Sequence, residues 1–243
     1  MISIFRKEIN LFFSSLIGYI VVGVFLVVLG LFLFVFPDTS LLSHGFATLD
    51  PLFSMAPTIF IFLVPAVTMR TFAEEQQNGT IELLITRPIS DWQILAGKYL
   101  ASLALVVFAL IPTVLYYYTV YQLGAPQGNL DAGGILGSYI GLFFLAAGFV
   151  AIGVFASAVT KNQIVAFLLA TALSFWFYWG FDYLSRLPFL LGGGDTVLQM
   201  SGMLYHYESL SRGVLDSRDM VYFVSLAGFF LFLSILAMER RKW

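Results

Sequence analysis

LFSMAPTIFIFLVPAVTM (52–69), RTFAEEQQNGTIELLITRPISDWQILAGK (70–98) and YLASLALVVFALIPTVLYYYTVY (99–121) follow one another without a gap. The outer two stretches hold no charged residue, and the middle one holds Arg70, Glu74, Glu75, Glu82, Arg87, Asp91 and Lys98. An uncharged 18-residue run reaches about 27 Å as a helix, close to the ~30 Å hydrocarbon layer of a bilayer. Pro57 and Pro65 interrupt the first run, which a membrane span tolerates where neighbouring helices satisfy the freed carbonyls. The pattern predicts two spans joined by one strongly polar hairpin.

The rest of the chain repeats the apolar half of that pattern. Further blocks lie at 11–36, 135–158, 164–184 and 221–238. Hydrophobic residues make up 60% of the 243 positions and charged residues 11%, against about a quarter charged in soluble domains. Such a chain has too little charge to make a water-facing surface, and its mean hydropathy of +0.91 agrees. The reading is an all-α integral membrane protein, one transmembrane domain over 1–243 with six spans. The blocks are continuous rather than alternating, which excludes a β-barrel. With no cysteine, disulfides, thiolate metal sites and cysteine nucleophiles are excluded as well.

Charge placement gives the orientation. Arg6, Lys7, Arg70, Arg87, Lys98, Lys161, Arg240, Arg241 and Lys242 fall on one side of a six-span chain, and only Arg186, Arg212 and Arg218 on the other. The positive-inside rule puts both termini in the cytoplasm. The first apolar block is too long for a signal-peptide core and lacks a small-residue cleavage site, so it reads as an uncleaved span. Ahead of it, residues 1–13 mix Arg6, Lys7 and Glu8 with Ile4, Phe5, Ile9 and Phe12. That mixture suits an interfacial helix on the inner leaflet or the polar start of span 1.

The hairpin 70–98 carries its own folding signals. Span 2 continues as a helix bearing Glu74 and Glu75, and Asn78-Gly79 stops it because glycine accepts the left-handed conformation. Thr80 caps a second helix whose Ile81, Leu84 and Ile85 share a face, and Pro88 ends it. Ser90 at the N-cap with Gln93 three residues on forms a capping box, flanked by Ile89 and Ile94 at hydrophobic-staple positions. Two readings follow: an amphipathic hairpin lying on lipid, or a docking element for a cytoplasmic partner. The four carboxylates Glu74, Glu75, Glu82 and Asp91 disfavour an anionic leaflet.

The run from Glu75 to Lys98, with E-x-x-N-G-T-I-E at its start and Pro88 and Lys98 further on, resembles the coupling stretch of ABC-2 type ABC transporter permeases. Among these, HYESLSRGVLDSRDMVYF (206–223) is most similar to gliding-motility permeases. The resemblance implies a type V exporter-like fold and a transport role, with the hairpin seated in a groove of a separate cytoplasmic ABC ATPase subunit. ATP and Mg would be bound by that partner, with no cofactor in this chain. It further implies a second permease copy or a related permease, and a Gld-type auxiliary membrane protein. Localisation would be the bacterial inner membrane. By the same resemblance, Glu75 and Glu82 contact or brace the groove, Gly79, Thr80 and Pro88 shape the turns, and Lys98 anchors span 3 at the interface.

Elsewhere the candidates are fewer. Gly137, Gly141 and Gly148 occur at helical spacing in span 4, where small residues let helices approach within the chain or across a dimer. Asp182 is the one carboxylate inside an apolar block and is by default a functional candidate. Trp176, Trp179 and Tyr183 around it fit an interfacial aromatic belt equally well. The connection 185–219 predicts a surface or re-entrant helix over 205–215. No G-x-x-x-x-G-K-[ST] occurs, so the chain does not hydrolyse ATP itself. Gly-Gly-Gly-Asp at 192–195 fits an aspartyl-protease pattern, but Asp195 lies in a loop and not beside a second membrane carboxylate. Two histidines, His44 and His206, and no H-E-x-x-H exclude a zinc protease. A channel lacks a charged pore ring. No catalytic or metal-binding residue and no nucleic-acid partner is expected.

Overall fold

The computed structural model describes residues 1–41, 47–80, 89–188 and 194–239, and every described element is helical or a connection. The second helix of the hairpin, with Glu82, Leu84 and Pro88, lies outside the described residues. Five described helical segments are long and apolar enough to cross a membrane, and a sixth crossing comes from a bent pair at the N-terminus.

That pair is α1 (Ile2–Ser14) and α2 (Leu16–Phe34), inclined at 70°. Ser15 takes an extended backbone between them and its carbonyl accepts the N–H of Gly18. A Cβ on Gly18 would sit 2.5 Å from the Phe12 carbonyl, so the bend needs glycine there. The helix boundary thus falls inside the predicted 11–36 block, and α1 lies crosswise to α2.

The second crossing runs from Asp50 to Gln77 as α3 (Asp50–Thr68), a short break, and α4 (Ala73–Gln77). Pro57 has no N–H to offer the carbonyl four residues earlier. The hydroxyl of Tyr207 fills that role, donating to the Phe53 carbonyl at 2.7 Å. At the break, Ser157 accepts the N–H groups of Phe72 and Ala73, both at 3.0 Å, and donates to the Met69 carbonyl at 3.0 Å. One serine from another span therefore satisfies the orphaned start of α4. Its end is a Schellman motif: Gly79 has φ +67°, its N–H reaches Gln76 O and that of Thr80 reaches Glu75 O.

The third crossing, Asp91–Leu123, is α5 (Asp91–Leu110), a 3₁₀ turn at Ile111–Thr113, and α6 (Val114–Leu123). Ser90 caps α5, accepting the Gln93 N–H at 3.3 Å, and Pro112 accounts for the turn. The fourth, α7 (Ala132–Val159), is capped by Asp131 on the N–H of Gly134 and is the most enclosed. The second, third, fifth and sixth spans pack against it. The fifth comprises α8 (Gln163–Phe175), a π-helical turn at Trp176–Gly180 and α9 (Phe181–Ser185). The sixth is α12 (Ser217–Glu239), and before it stand two short helices, α10 (Asp195–Ser201) and α11 (Met203–Ser211). The helix expected over 205–215 stops at Ser211, and Gly213 turns the chain with φ +79°.

Candidate functional site

Lys98 lies one turn inside the apolar part of α5 and is 1% exposed. A bare ammonium at such a position costs several kcal/mol, and the surroundings answer it. Its Nζ donates to Glu8 Oε1 at 2.8 Å and to the Thr71 carbonyl, and stands 3.0 Å from Glu75 Oε2. The last is a charge contact, since that oxygen is out of line for a hydrogen bond. The ring of Phe72 lies 5.0 Å from Nζ. Glu75 is itself buried, and its other oxygen accepts from Lys7 at 2.7 Å.

Two lysines and two glutamates thus form a neutral, alternating network. Its members come from α1 (Lys7, Glu8), α4 (Glu75) and α5 (Lys98). At its rim Arg70 reaches Glu74 at 3.3 Å and the Ser15 hydroxyl at 3.3 Å, which adds the α1–α2 bend to the same assembly. Burial works against the charge on Lys7, yet the hydrogen bond and charge of Glu75, with Glu8 and Glu74, hold its pKa above 10.5. Behind the network Gln76 donates to the Ala158 carbonyl at 3.0 Å, so α4 is also tied to the end of α7. A cleft of ≈ 390 Å³ opens beside these charges, lined by Lys7, Arg70 and Glu74 together with Leu11, Phe12 and Leu105.

These positions add partners to the roles drawn from the sequence. Lys98 is buried, because three partners converge on it. Glu75 points inward at two lysines, which makes it a brace rather than a surface contact. Glu74 is half-buried beside Arg70. Gly79 and Thr80 form the turn described above, and Ser90 the cap. Lys7, Glu8 and Ser157 were not singled out from the sequence, since their partners lie 68, 90 and 88 residues away. One signal was present: a lysine entering an apolar run requires a carboxylate, and Glu8 sits in an equally apolar segment.

The remaining candidates gather at the opposite end. Asp182 pairs with Arg186 at 2.7 Å and borders a pocket of ≈ 240 Å³ that also meets Gln199, Tyr205 and Glu208. Trp176 is exposed and Trp179 packs edge-on against Phe175 at 5.3 Å. Gly137, Gly141 and Gly148 face the connection before α12. A Cβ on them would lie 2.5 Å from Gly213 O, 2.6 Å from Leu210 Cβ and 2.9 Å from Met203 Cε respectively. Ser138 donates to Ser211 O at 2.8 Å on the same surface. The close approach is therefore made within the chain, between α7 and α11.

Neither end pairs a nucleophile with a base, and no group of metal-ligating side chains exists among the described residues. The charged end ties three segments together around the root of the hairpin. The sequence profile of the ABC-2 family transporter proteins matches residues 2–238. The chain belongs to the ABC-2 transporter family. A comparison with curated proteins returned no match. As an ABC-2 transporter protein it is a multi-pass membrane component and not itself a catalyst.

Proposed function

We propose that this ABC-2 protein is the permease subunit of an ATP-driven exporter, and that the hairpin 70–98 receives the stroke of a separate cytoplasmic ATPase. The observation that carries the reading is the buried network of Lys7, Glu8, Glu75 and Lys98. It grips both roots of the hairpin and the crosswise helix α1, so a push on the hairpin moves them together. A hairpin merely resting on lipid has no need of such a joint. The bias of basic residues puts this end, and both termini, in the cytoplasm. A bacterial inner membrane follows from the same resemblance, as do two permeases, identical or related, above two ATPases that bind ATP and Mg. Closure of the ATPases would then rock the spans. The spans are almost free of lysine and arginine, which suits a lipid-like or amphipathic cargo better than a small ion. The run 206–223 supports a role in gliding motility, with a Gld-type auxiliary membrane protein as partner.

Purification in mild detergent tests the reading. An ABC ATPase should co-purify, and Lys98→Met should leave that complex assembled while transport-linked ATP turnover falls at least several-fold. A chain that purifies with no ATPase, or a Lys98→Met complex with unchanged coupling, overturns it. Disruption of the gene in the source bacterium decides the gliding assignment separately.

A further inference from the structure

His206 on α11 is held at both ring nitrogens. Nδ1 lies 2.7 Å from Asp219 Oδ1 on α12, and Nε2 lies 2.9 Å from the carbonyl of Met200 on α10. Both partners are acceptors: an ionised carboxylate and a backbone carbonyl have no proton to give. A neutral imidazole donates from one nitrogen only, and its other lone pair would then face an oxygen. The two bonds exist together only in the imidazolium. The ring is also stacked on Tyr222 of α12 at 4.0 Å and 22°, with Tyr205 edge-on at 5.3 Å. Tyr222 in turn donates to the Ser201 carbonyl at 2.8 Å, at the junction of α10 and α11. Both His206 and Asp219 are largely enclosed, with side chains 13% and 11% exposed.

We infer that His206 is a proton-dependent staple that holds α10 and α11 against the start of α12, closed when the ring is charged and loosened when it is neutral. The ionisable groups on the elements packed around it do not supply another cation to Asp219. Arg186 is engaged with Asp182, and Arg212 donates to the Glu208 carbonyl. Asp195 opens α10, Glu208 lies on α11 itself, Arg218 and Asp216 stand beside Asp219, and Tyr178 lies on the fifth span. Among the described residues, His206 is the one basic side chain within salt-bridge distance of Asp219, and it is a cation once protonated. The closed form binds one proton more than the open form, so closure is favoured as pH falls and weakened as pH rises. What the staple governs is the covering of the α7 end by α11, which Tyr207 also ties to the second span. The compartment whose pH it reads depends on the orientation proposed above; the response itself does not.

The chain has no cysteine, which makes paired spin labels straightforward. Val197→Cys on α10 and Val221→Cys on α12 are both exposed, and the distance between labels is read by pulsed EPR on the full-length protein in detergent, where both faces meet the buffer. Between about pH 5 and about pH 8.5 the loosened population should rise roughly fivefold, the factor carried by one ordinary hydrogen bond. His206→Phe should abolish this response. Asp219→Asn should reverse it. There a neutral ring accepts from the asparagine amide and donates to Met200 O, so the staple is intact at high pH and breaks on acidification. A distance distribution constant with pH in the unaltered protein overturns the inference. So does an Asp219→Asn variant that responds with the original sign, and that comparison suffices if His206→Phe does not assemble.

Discussion

At the scale of single residues, charge balance and carbonyl bookkeeping explain most of what holds the two ends. Lys98→Met leaves Glu8 and Glu75 sharing one half-exposed lysine, and removing one partner of a buried pair costs about 3–5 kcal/mol. Thermal unfolding in detergent should show that loss, and adding Glu8→Gln should recover part of it, since the network is then neutral again. Lys7 has a raised pKa, so its contribution is complete at neutral pH and disappears as pH climbs above 10.5. Proteolysis within α1 should accelerate in that alkaline range and not on acidification to about pH 6. Tyr207 makes a sharper case. Burial, with Tyr178 beside it, holds its hydroxyl well above the usual tyrosine pKa, so it remains a donor at any working pH. Tyr207→Phe strands the Phe53 carbonyl and should cost about 1–3 kcal/mol. In a Pro57→Ala background the backbone supplies its own N–H, and the same substitution should then cost much less. Equal penalties in the two backgrounds would refute the link between Pro57 and Tyr207.

At the scale of elements, glycines divide by what they face. Gly141 meets Leu210 of α11, whereas Gly23 on α2 has nothing within 4 Å of its would-be Cβ. Gly141→Leu should displace α11 and sharply reduce folded yield by size-exclusion chromatography, while Gly23→Leu should elute as the parent does. Both glycines lie in apolar helices, and their spacing alone does not distinguish them. The hairpin was far more legible. Its stop at Gly79 and its start at Ser90 are written in local chemistry, a left-handed residue and a side-chain cap, and neither needs a distant partner. The break between α3 and α4 was not legible, because the residue that satisfies it, Ser157, belongs to another span.

At the scale of the whole molecule, the network predicts that α1 and the roots of the hairpin move as one body during transport. A Cβ on Gly97 would stand 3.1 Å from that of Ile4, within a few tenths of an ångström of disulfide range. Ile4→Cys with Gly97→Cys should therefore cross-link on oxidation, in a chain with no competing thiol. The oxidised protein should keep its coupled ATP turnover in the reconstituted complex. Turnover abolished by oxidation and restored by reduction would mean that α1 and the third span part company during the cycle, against the proposal.

The sequence by itself determined the membrane class, the approximate crossings, the polar hairpin and the resemblance that leads to the family. Each of these depends on local composition or on residues within one or two turns of each other. Tertiary structure alone decided that Lys98 is buried, that Glu75 serves two lysines, and that span 4's glycines receive α11. It also decided that His206 is clamped between two acceptors. These are pairings between segments tens of residues apart, and no periodicity records which charge or carbonyl a folded helix will meet. The hairpin's outline was thus local, but the joint at its root is a property of the packed spans.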